Sequence, residues 1–373
     1  MKNNSNSLAY RLPWYRWLLA PFAALYGLGI WLRNRLYDLG LLSAVQFDVP
    51  VIAVGNLAMG GTGKTPLVDW LVGQLKSQYE PVILSRGYRR KSSGYLLAGP
   101  TSTVEDIGDE PMLLHLHHKD VPLAVAEQRV LAIPQLLMDA AAQKPFSDQR
   151  FVVVLDDAFQ HRSLKPGLNI LLTTFHRLFV DDWLFPIGYL RDLRSSAHRA
   201  DLIIVTKCPD ELTPAEARQI QQRLKPLPHQ QIFFTALRYA PPYDFFTGES
   251  TILTPDTAIV LVTGIAQPQH LFNTLQHRFN KVYPLFYSDH HRYREADVLR
   301  IDEAYRQLPG KHKAILTTEK DAVKLAPFKP EMQRRNWQLL VQPVEIYFLF
   351  NQQQACVQYI LQYLSRASAG LFS

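Results

Sequence analysis

The chain has 373 residues, 47% of them hydrophobic, and a formal net charge of +7. This length suits two domains with real cores, and the cysteines Cys208 and Cys356 exclude a disulfide framework and a cysteine-based metal site. The positive charge is compatible with a nucleic-acid partner, but the sequence has no helix-turn-helix, zinc-finger or RNP-type signature. We therefore expect no nucleic-acid partner.

The first predicted element is an uncharged apolar helix at residues 17–32, with the sequence WLLAPFAALYGLGIWL. It is short for a membrane-spanning helix, which needs about 20 such residues. Tryptophans 14, 17 and 31 lie near its ends, and the basic residues that precede the first acidic residue are Lys2, Arg11, Arg16, Arg33 and Arg35. Aromatic ends and cationic flanks are typical of a helix in the interface of an anionic membrane. We expect residues 1–37 to form a membrane-surface anchor.

Two alternatives exist for this segment. A secretory signal peptide would need a small-x-small cleavage site, which the sequence lacks. It would also direct the protein out of the cytosol, where a nucleotide-binding loop such as the one described next is expected to work. A buried first helix of a soluble domain stays open at the level of the sequence.

A nucleotide-binding loop follows, because residues 51–66 read VIAVGNLAMGGTGKTP. The glycines let the backbone curl and direct N–H groups at phosphate oxygens. Lys64 can reach the β- and γ-phosphates, the hydroxyl of Thr65 can bind Mg²⁺, and the apolar residues 67–75 predict a helix whose N-terminus lies under the anion. The predicted ATP-binding residues are Ala58, Met59, Gly60, Gly61, Thr62, Gly63, Lys64 and Thr65. The strict motif has glycine where this chain has Ala58.

Strands and helices alternate along the next part of the chain, which predicts an α/β fold: a P-loop NTPase-like doubly wound sheet with a second, smaller α/β domain. The predicted strands are 51–54, 81–84, 151–155, 169–172, 202–206, 258–264, 281–284 and 313–317, and the clearest helices are 67–76, 111–118 and 129–142. Proline and aromatic residues at 239–243 predict a linker. We expect a kinase domain at 38–238 and a smaller C-terminal domain at 239–373 that closes over the active site.

A buried strand at residues 151–155 ends in two carboxylates, Asp156 and Asp157. Phosphoryl-transfer sites need an acid at such a place, because Mg²⁺ prefers oxygen ligands. Asp156 is the better candidate, since it follows the strand directly.

Other polar groups have open interpretations. From the residues alone, Asp109 in Gly108-Asp-Glu-Pro111 is a helix cap. The segment Ser288-Asp-His-His291 is a metal site, an acid–base pair or a polar loop. His115, His117 and His118 lack a third ligand and are interpreted as solvated histidines.

A weaker motif lies at Thr206-Lys-Cys-Pro-Asp210. It is similar to the Lys-x-Asp that reads guanine in P-loop GTPases, but its aspartate is one residue too far along.

Several motifs together resemble those of the tetraacyldisaccharide 4'-kinase family, the membrane enzymes that phosphorylate a lipid A precursor. The matching stretches are Gly55-Asn-Leu-Ala-Met-Gly-Gly-Thr-Gly-Lys-Thr-Pro66, Ser85-Arg-Gly-Tyr88, Gly108-Asp-Glu-Pro111, Asp156-Asp-Ala-Phe-Gln-His161, Pro186-Ile-Gly-Tyr-Leu-Arg191, Asp289-His290 and Thr318-Glu-Lys-Asp-Ala-Val-Lys324. They follow the family's order over residues 10–325.

The resemblance implies transfer of the γ-phosphate of ATP to the 4'-hydroxyl of an acylated glucosamine disaccharide 1-phosphate, at the cytoplasmic face of the bacterial inner membrane. It implies that Asp109 is the catalytic base and that His290 supports it across the domain cleft, with Lys64 on the phosphates and with Thr65, Asp156 and Asp157 near Mg²⁺. Gln160, His161 and Arg191 match active-site positions of the family, and Arg86 and Arg129 are candidates for contact with substrate or phosphate. No protein partner is implied.

The chain departs from the family at four positions. Arg89 and Ala158 replace glycines, and Asp192-Leu193 replaces Glu-Pro, which puts any contact of that acid in doubt. The competing function is a P-loop GTPase or ATPase that works as a switch or metallochaperone at the membrane. A switch needs no base aimed at an acceptor, so Asp109 and His290 distinguish the two.

Overall fold

The computed structural model describes residues 13–144 and 150–368. Its strands are β1 (Val51–Asn56), β2 (Glu80–Ser85), β3 (Leu96–Leu97), β4 (Leu123–Val125), β5 (Phe151–Leu155), β6 (Leu168–Thr174), β7 (Leu202–Thr206), β8 (Gln231–Tyr239), β9 (Tyr243–Asp244), β10 (Ala258–Thr263), β11 (Lys281–Phe286), β12 (Lys313–Thr318), β13 (Leu339–Gln342) and β14 (Val344–Phe348). Its α-helices are α1 (Ala20–Asp38), α2 (Lys64–Leu75), α3 (Val104–Ile107), α4 (Asp109–His117), α5 (Arg129–Gln143), α6 (Pro214–Leu224), α7 (Pro268–Arg278), α8 (Glu295–Arg306), α9 (Glu319–Leu325), α10 (Lys329–Arg334) and α11 (Gln353–Ser368). Short 3-10 helices lie at Trp14–Leu19, Phe179–Asp181, Arg194–Arg199, Ala326–Phe328 and Leu349–Asn351.

The larger sheet has the strand order β14-β8-β7-β6-β1-β5-β2-β4-β3. Its central strands are parallel, and every residue of β1 is buried. Such strands read as continuous apolar runs because helices cover both faces of the sheet. The predicted doubly wound α/β fold is confirmed, and the carboxyl ends of β1 and β5 meet at one edge, where ligands of this architecture bind.

The smaller sheet has the order β11-β10-β12-β13-β9, with β9 antiparallel to β13. Its core packs around β10 and β12, whose central residues are fully buried. The second α/β unit expected from the sequence is therefore present.

The path of the chain differs from the expected domain division. The chain leaves the larger sheet after β8, and it returns directly after Pro343, because β14 pairs antiparallel with β8 in the register Val344↔Tyr239. Helix α11 then packs on the core of the larger sheet through Cys356, Ile360 and Leu364. The predicted C-terminal domain of 239–373 is thus wrong for residues 344–368. We define the large unit as the described residues up to 239 together with 344–368, and the small unit as residues 243–342.

The N-terminal helix lies on the large unit with one side only. Ala23, Gly27, Ile30 and Asn34 are buried, and a Cβ at Gly27 would come within 2.8 Å of Leu184. The opposite side exposes large apolar side chains, among them Trp14 (78% exposed), Tyr15, Trp17, Leu18, Phe22, Leu25, Leu28, Trp31 and Leu32. The alternative of a buried first helix is therefore wrong. Lys2 and Arg11 lie outside the described residues.

Among the residues that the structure describes, no helix combines the length and apolarity that crossing a membrane requires.

Candidate active site

The glycine-rich loop connects β1 to α2 at the sheet edge. Gly60 has a φ of 102° and Gly63 a φ of 84°, which is the left-handed region that favours glycine. Gly63 caps α2, so the helix begins at Lys64, three residues before the predicted start. Lys64 and Thr65 therefore occupy the first turn, where free backbone N–H groups and the helix dipole attract an anion.

Buried polar side chains fix the shape of this loop. The amide of Asn56 donates to the carbonyl of Ala58 at 2.7 Å and to the hydroxyl of Thr62 at 2.8 Å. The hydroxyl of Thr206 donates to the carbonyl of Thr62 at 2.7 Å. The threonine of the weak 206–210 motif thus holds the phosphate loop.

Lys64 meets Asp157 and Arg191 beside the loop. Its ammonium group lies 3.6 Å from a carboxylate oxygen of Asp157. Arg191 donates to both carboxylate oxygens of Asp157, at 3.1 Å for Nη1, and to the side-chain oxygen of Asn56 at 2.7 Å. Burial alone would raise the pKa of Asp157, but the charges of Lys64 and Arg191 lower it well below its usual range. Asp157 therefore holds the two cations in place.

Asp156 has the features of a metal ligand. It follows β5 directly and is buried, and it accepts a 2.9 Å hydrogen bond from Ser85 on one oxygen. Among the described residues its other oxygen, Oδ1, has no hydrogen-bond partner although it is buried. Burial and the charge of Asp157 raise the pKa of Asp156. An unpaired buried carboxylate oxygen that borders the phosphate loop fits Mg²⁺, and the hydroxyl-bearing Thr65 lines the same cavity.

Three predicted residues lie behind this edge. Arg129, 2% exposed, donates to the backbone carbonyls of Asp156 at 2.8 Å and Asp157 at 3.0 Å. Gln160 donates to the carbonyl of Asn56 at 2.6 Å. His161 is close to the hydroxyl of Ser163, and burial, with the nearby charges of Arg129 and Arg86, lowers its pKa to about 4. Arg129 and Gln160 thus fix the ends of β5 and β1.

Asp109 and His290 meet across the two units. Asp109 is the first residue of α4 and is 5% exposed. The Nδ1 of His290, in the turn after β11, lies 2.8 Å from Oδ2 of Asp109, although the residues are 181 positions apart. Burial by itself would raise the pKa of Asp109, but the hydrogen bond from His290 lowers it, as do Glu110 and the charge of Lys320. His290 thus lies beside a carboxylate as an acid–base pair would, and Asp109, Glu110 and His290 also offer ligand atoms within 4.8 Å of one another.

Gly108 makes this placement possible. Its φ is 94°, and a Cβ there would lie 3.1 Å from the carbonyl oxygen of Tyr88. Only glycine lets α4 begin this close to the loop after β2, whose Tyr88 ring meets the His290 ring edge-on.

Two residues of the cluster were not singled out from the sequence. The ammonium group of Lys320 lies 2.7 Å from Glu110, 3.5 Å from Asp109 and 3.9 Å from Asp289. Burial and the hydrogen bond with Asp109 raise the pKa of Glu110 to about 7. Both residues lie in stretches that resemble the family's motifs, Gly108–Pro111 and Thr318–Lys324, and only that resemblance could have indicated them.

One cavity of about 1120 Å³ connects these groups. Its walls include the glycine-rich loop, Thr65, Arg86, Asp156, Asp157 and Arg191 from the large unit, and Asp289, His290 and Lys320 from the small unit. Glu110 also lines it. Asp109 is not among the lining residues, but it contacts His290 and Lys320, which are.

One expectation outside the cavity needs correction. His117 is not a solvated histidine: Nδ1 lies 3.0 Å from Asp69 on α2 and Nε2 lies 2.9 Å from Glu319 on α9. Burial lowers the pKa of His117, but the two carboxylates raise it to about 10. Its neighbour His118 also pairs with Asp69, at 2.8 Å.

Asp192, which stands where the family commonly has glutamate, is fully buried. It accepts hydrogen bonds from Asn34 of α1, from Ser196 and from Arg199. It therefore joins the N-terminal helix to the 3-10 helix at Arg194–Arg199.

Comparison with known proteins gives one consistent result. A family model described as tetraacyldisaccharide-1-P 4'-kinase matches residues 15–365. The tetraacyldisaccharide 4'-kinase of Phocaeicola vulgatus is 40% identical over 95% of this chain and 96% of its own, and that of Flavobacterium johnsoniae is 40% identical over 94% and 97%. A solved structure of LpxK from Aquifex aeolicus in complex with ATP matches with a TM-score of 0.71 and 26% identity, covering 94% of this chain and 99% of that one.

Proposed function

The chain belongs to the tetraacyldisaccharide-1-P 4'-kinase family, and from this premise we propose how its residues carry out the reaction. The protein is an ATP-dependent lipid kinase that transfers the γ-phosphate of ATP to the 4'-hydroxyl of a tetraacyldisaccharide 1-phosphate, which gives lipid IV-A in lipid A biosynthesis. The family match does not favour the alternative of a P-loop GTPase or ATPase that works as a switch or metallochaperone.

The glycine-rich loop and the N-terminus of α2 bind the ATP phosphates through backbone N–H groups. Lys64 exchanges its contact with Asp157 for oxygens of the transferring phosphate, and Arg191 adds a second cation at the same place. Thr65 and Asp156 would hold Mg²⁺, with Asp157 close by. A bound Mg²⁺ neutralises charge on the phosphates.

Asp109 is the proposed base. The 4'-hydroxyl oxygen attacks the γ-phosphorus as its proton passes to the carboxylate of Asp109; the new O4'–P bond forms, the bond from phosphorus to the β,γ-bridging oxygen breaks, and ADP leaves. A carboxylate is a weak base, so it must be oriented, and His290 does this through its 2.8 Å hydrogen bond. That contact carries the proposal, because a switch needs no oriented base beside the phosphate loop.

His290 belongs to the small unit, so the Asp109–His290 pair exists only while the small unit is docked on the large one. We expect docking to tighten when ATP and lipid are both bound, which limits transfer of phosphate to water.

Product detection tests the function directly. Protein incubated with ATP and the acceptor in detergent micelles should form a 4'-phosphorylated lipid on thin-layer plates, and Asp109→Asn should lower the rate by ~10²–10⁴-fold, the range for a general base. Asp120→Asn, which alters an exposed aspartate paired with Lys76, should keep the parental rate. ATP hydrolysis that proceeds equally with and without lipid would support a switch instead.

We further propose that α1 lies on the cytoplasmic face of the inner membrane. The exposed apolar side of the helix would enter the interface, and its arginines would attract anionic headgroups. Tyr26 of α1 connects the helix to the active site, because its hydroxyl donates to the carbonyl of Arg191 at 3.1 Å. In the preceding 3-10 helix, Arg16 donates to the carbonyl of Ile187 and the Trp17 ring contacts Trp183.

Deletion of residues 1–37 tests this placement. The truncated protein should leave liposomes and lose activity on micellar acceptor more than it loses affinity for ATP. Leu131→Ser, on an exposed apolar residue of α5, is the control that should stay bound. A truncated protein that still floats with liposomes would point to a different anchor.

A further inference from the structure

The N-terminal ends of α4 and α9 meet at a cluster of opposite charges. Asp109 and Glu110 are consecutive residues in the first turn of α4, and the ammonium group of Lys320 lies within 3.5 Å of both side chains. Two adjacent carboxylates in a buried place repel each other unless a cation or a proton is shared between them. Lys320 is the cation that this arrangement supplies.

The backbone that carries Lys320 is held firmly in the small unit. Thr318 caps α9 by accepting from the N–H of Asp321 at 3.2 Å. The fully buried Asp321 accepts in turn from Thr263 at 2.9 Å and pairs with Lys324 at 2.7 Å. The position of Lys320 is therefore fixed by the small unit, not by the carboxylates it contacts.

A second contact aligns α9 along α4. Glu319, which precedes Lys320, lies 2.9 Å from His117 at the far end of α4 and also accepts from the backbone N–H of Val344 at 3.3 Å. Adjacent residues of α9 thus contact both ends of α4, so docking of the small unit brings the ammonium group to the carboxylate pair each time.

The groups that face the pair set its charge. They are Lys320 from α9, and Asp289 and His290 from the turn after β11, with the Tyr88 ring against His290. With Lys320 in place, burial still raises the pKa of Glu110 to about 7, while His290 and Lys320 lower the pKa of Asp109, so a proton taken up near neutral pH resides on Glu110 and Asp109 stays ionised. Asp109, Glu110 and His290 offer ligand atoms within 4.8 Å of one another, but the ammonium group already serves as their cation.

We propose that Lys320 is a positioning residue of the kinase: its ammonium group holds Asp109 and Glu110 side by side and keeps Asp109 ionised, ready to accept the proton of the acceptor hydroxyl. The proposal rests on the proposed function, since it takes Asp109 as the base. Because Lys320 belongs to the small unit, Asp109 is kept ionised only while α9 is docked against α4.

The pH dependence of turnover tests the proposal with Lys320→Met, Lys320→Arg and the control Lys76→Met. Without the ammonium group the pair should keep its proton to higher pH. The acid limb of kcat for Lys320→Met should then move up by about one pH unit or more, the effect of one lost opposite charge. Turnover near pH 7 should fall ~5–10-fold, as a shift of about one unit in the limb gives, and recover in part above pH 8.5, with KM for ATP within about twofold of parental.

The other variants separate charge from structure. Lys320→Arg keeps the charge and should restore the parental acid limb, and Lys76→Met, which breaks an exposed pair with Asp120, should leave it unchanged. The double variant Glu110→Gln/Lys320→Met removes one carboxylate with the lysine and should regain turnover at neutral pH. A loss for Lys320→Met that is equal at every pH, or a raised KM for ATP with an unmoved limb, would overturn the proposal.

A stability measurement needs no activity and so separates this proposal from the proposed function. The melting temperature of Lys320→Met should fall furthest below the parental value at pH 8, where both carboxylates are charged. The difference should shrink towards pH 5 as Glu110 takes up a proton. A difference that does not change with pH would mean that Lys320 acts only through packing of its stem, and the proposal would fail even if the parent makes the 4'-phosphate.

Discussion

The two halves of the active site are built in different ways. The phosphate half consists of the glycine-rich loop with Lys64, Asp156, Asp157 and Arg191, and all of it belongs to the edge of one sheet in the large unit. The base half consists of Asp109, Glu110, His290 and Lys320, and it joins α4 of the large unit to two segments of the small unit. The phosphate half therefore needs only the fold of the large unit, while the base half also needs docking of the two units.

The largest expected effect would break the base half. Asp109→Ala and His290→Ala should each lower kcat by ~10²–10⁴-fold, the range for a general base, with little change in ATP affinity. Because the two act as one unit, the double variant should be scarcely worse than the poorer single one. Steady-state kinetics of the four proteins measure this.

The neighbour of His290 is a matched control. His291 has its own carboxylate partner, Asp297, at 2.9 Å within the small unit, so His291→Ala should keep kcat near parental. Losses for Asp109→Ala and His290→Ala that multiply in the double variant would show independent action.

In the phosphate half, Lys64→Ala should lower activity by ~10²–10³-fold, the size of a lost electrostatic contact to transition-state charge. In contrast to the base-half variants, it should also weaken ATP binding, because the contact proposed for Lys64 is with the phosphates of the nucleotide and not with the acceptor. Isothermal titration with ATP and circular dichroism of the folded protein check both points. Parental turnover in folded Lys64→Ala protein would remove this loop from the site.

Asp156→Asn sharpens the comparison within the phosphate half. The amide can keep the hydrogen bond from Ser85 but is a poorer ligand for a hard cation. The Mg²⁺ concentration for half-maximal activity should rise at least ~10-fold, the scale on which even outer partners change metal affinity. The control Asp181→Asn, which alters an ion pair with Arg223, should not shift the Mg²⁺ titration of activity. Identical Mg²⁺ titration curves for Asp156→Asn and the parent would mean that Asp156 is not at the metal.

The smallest effect concerns docking itself. His117 has a folded pKa of about 10, above an unfolded value near 6.5, so its charge stabilises the fold fully below pH 6.5, and this stability is lost as the pH rises through 10. His117→Asn should cost about 1.5–3 kcal/mol at pH 6, as for hydrogen bonds to charged groups, and less at pH 10. Urea unfolding at both pH values measures it; a deficit that grows with pH would contradict the assignment.

The sequence predicted the phosphate half well because its signals are local. Each apolar run that predicts a strand lies at an observed strand, and the glycines at 60 and 63 occupy the left-handed conformations that the loop needs. Helix α2 begins three residues before its predicted start, because the apolar run that predicts it begins only at Leu67, after Pro66. Proline is tolerated in the first turn, where its missing N–H would have no partner.

The base half could not be predicted from local pattern. Asp109 by itself looks like a helix cap, and only the family resemblance connected it with His290. Lys320 and His117 lie on polar helix faces, and their partners come from another unit, so neither spacing nor composition indicates them. The return of β14 to the larger sheet was not predicted for the same reason, because the pairing of Val344 with Tyr239 joins strands about one hundred residues apart.

The pairing of β14 with β8 has a consequence for removal of the small unit by protein engineering. Residues 240–343 are an insertion whose two ends lie together. Just inside the insertion β9 pairs with β13, and just outside it β8 pairs with β14. Ends that lie together are what allow a domain to be inserted or excised. Joining Tyr239 to Val344 through Asn-Gly would convert β8 and β14 into an ordinary hairpin. The excised protein would retain the complete phosphate half without His290 or Lys320, a nucleotide binder with no partner for its base.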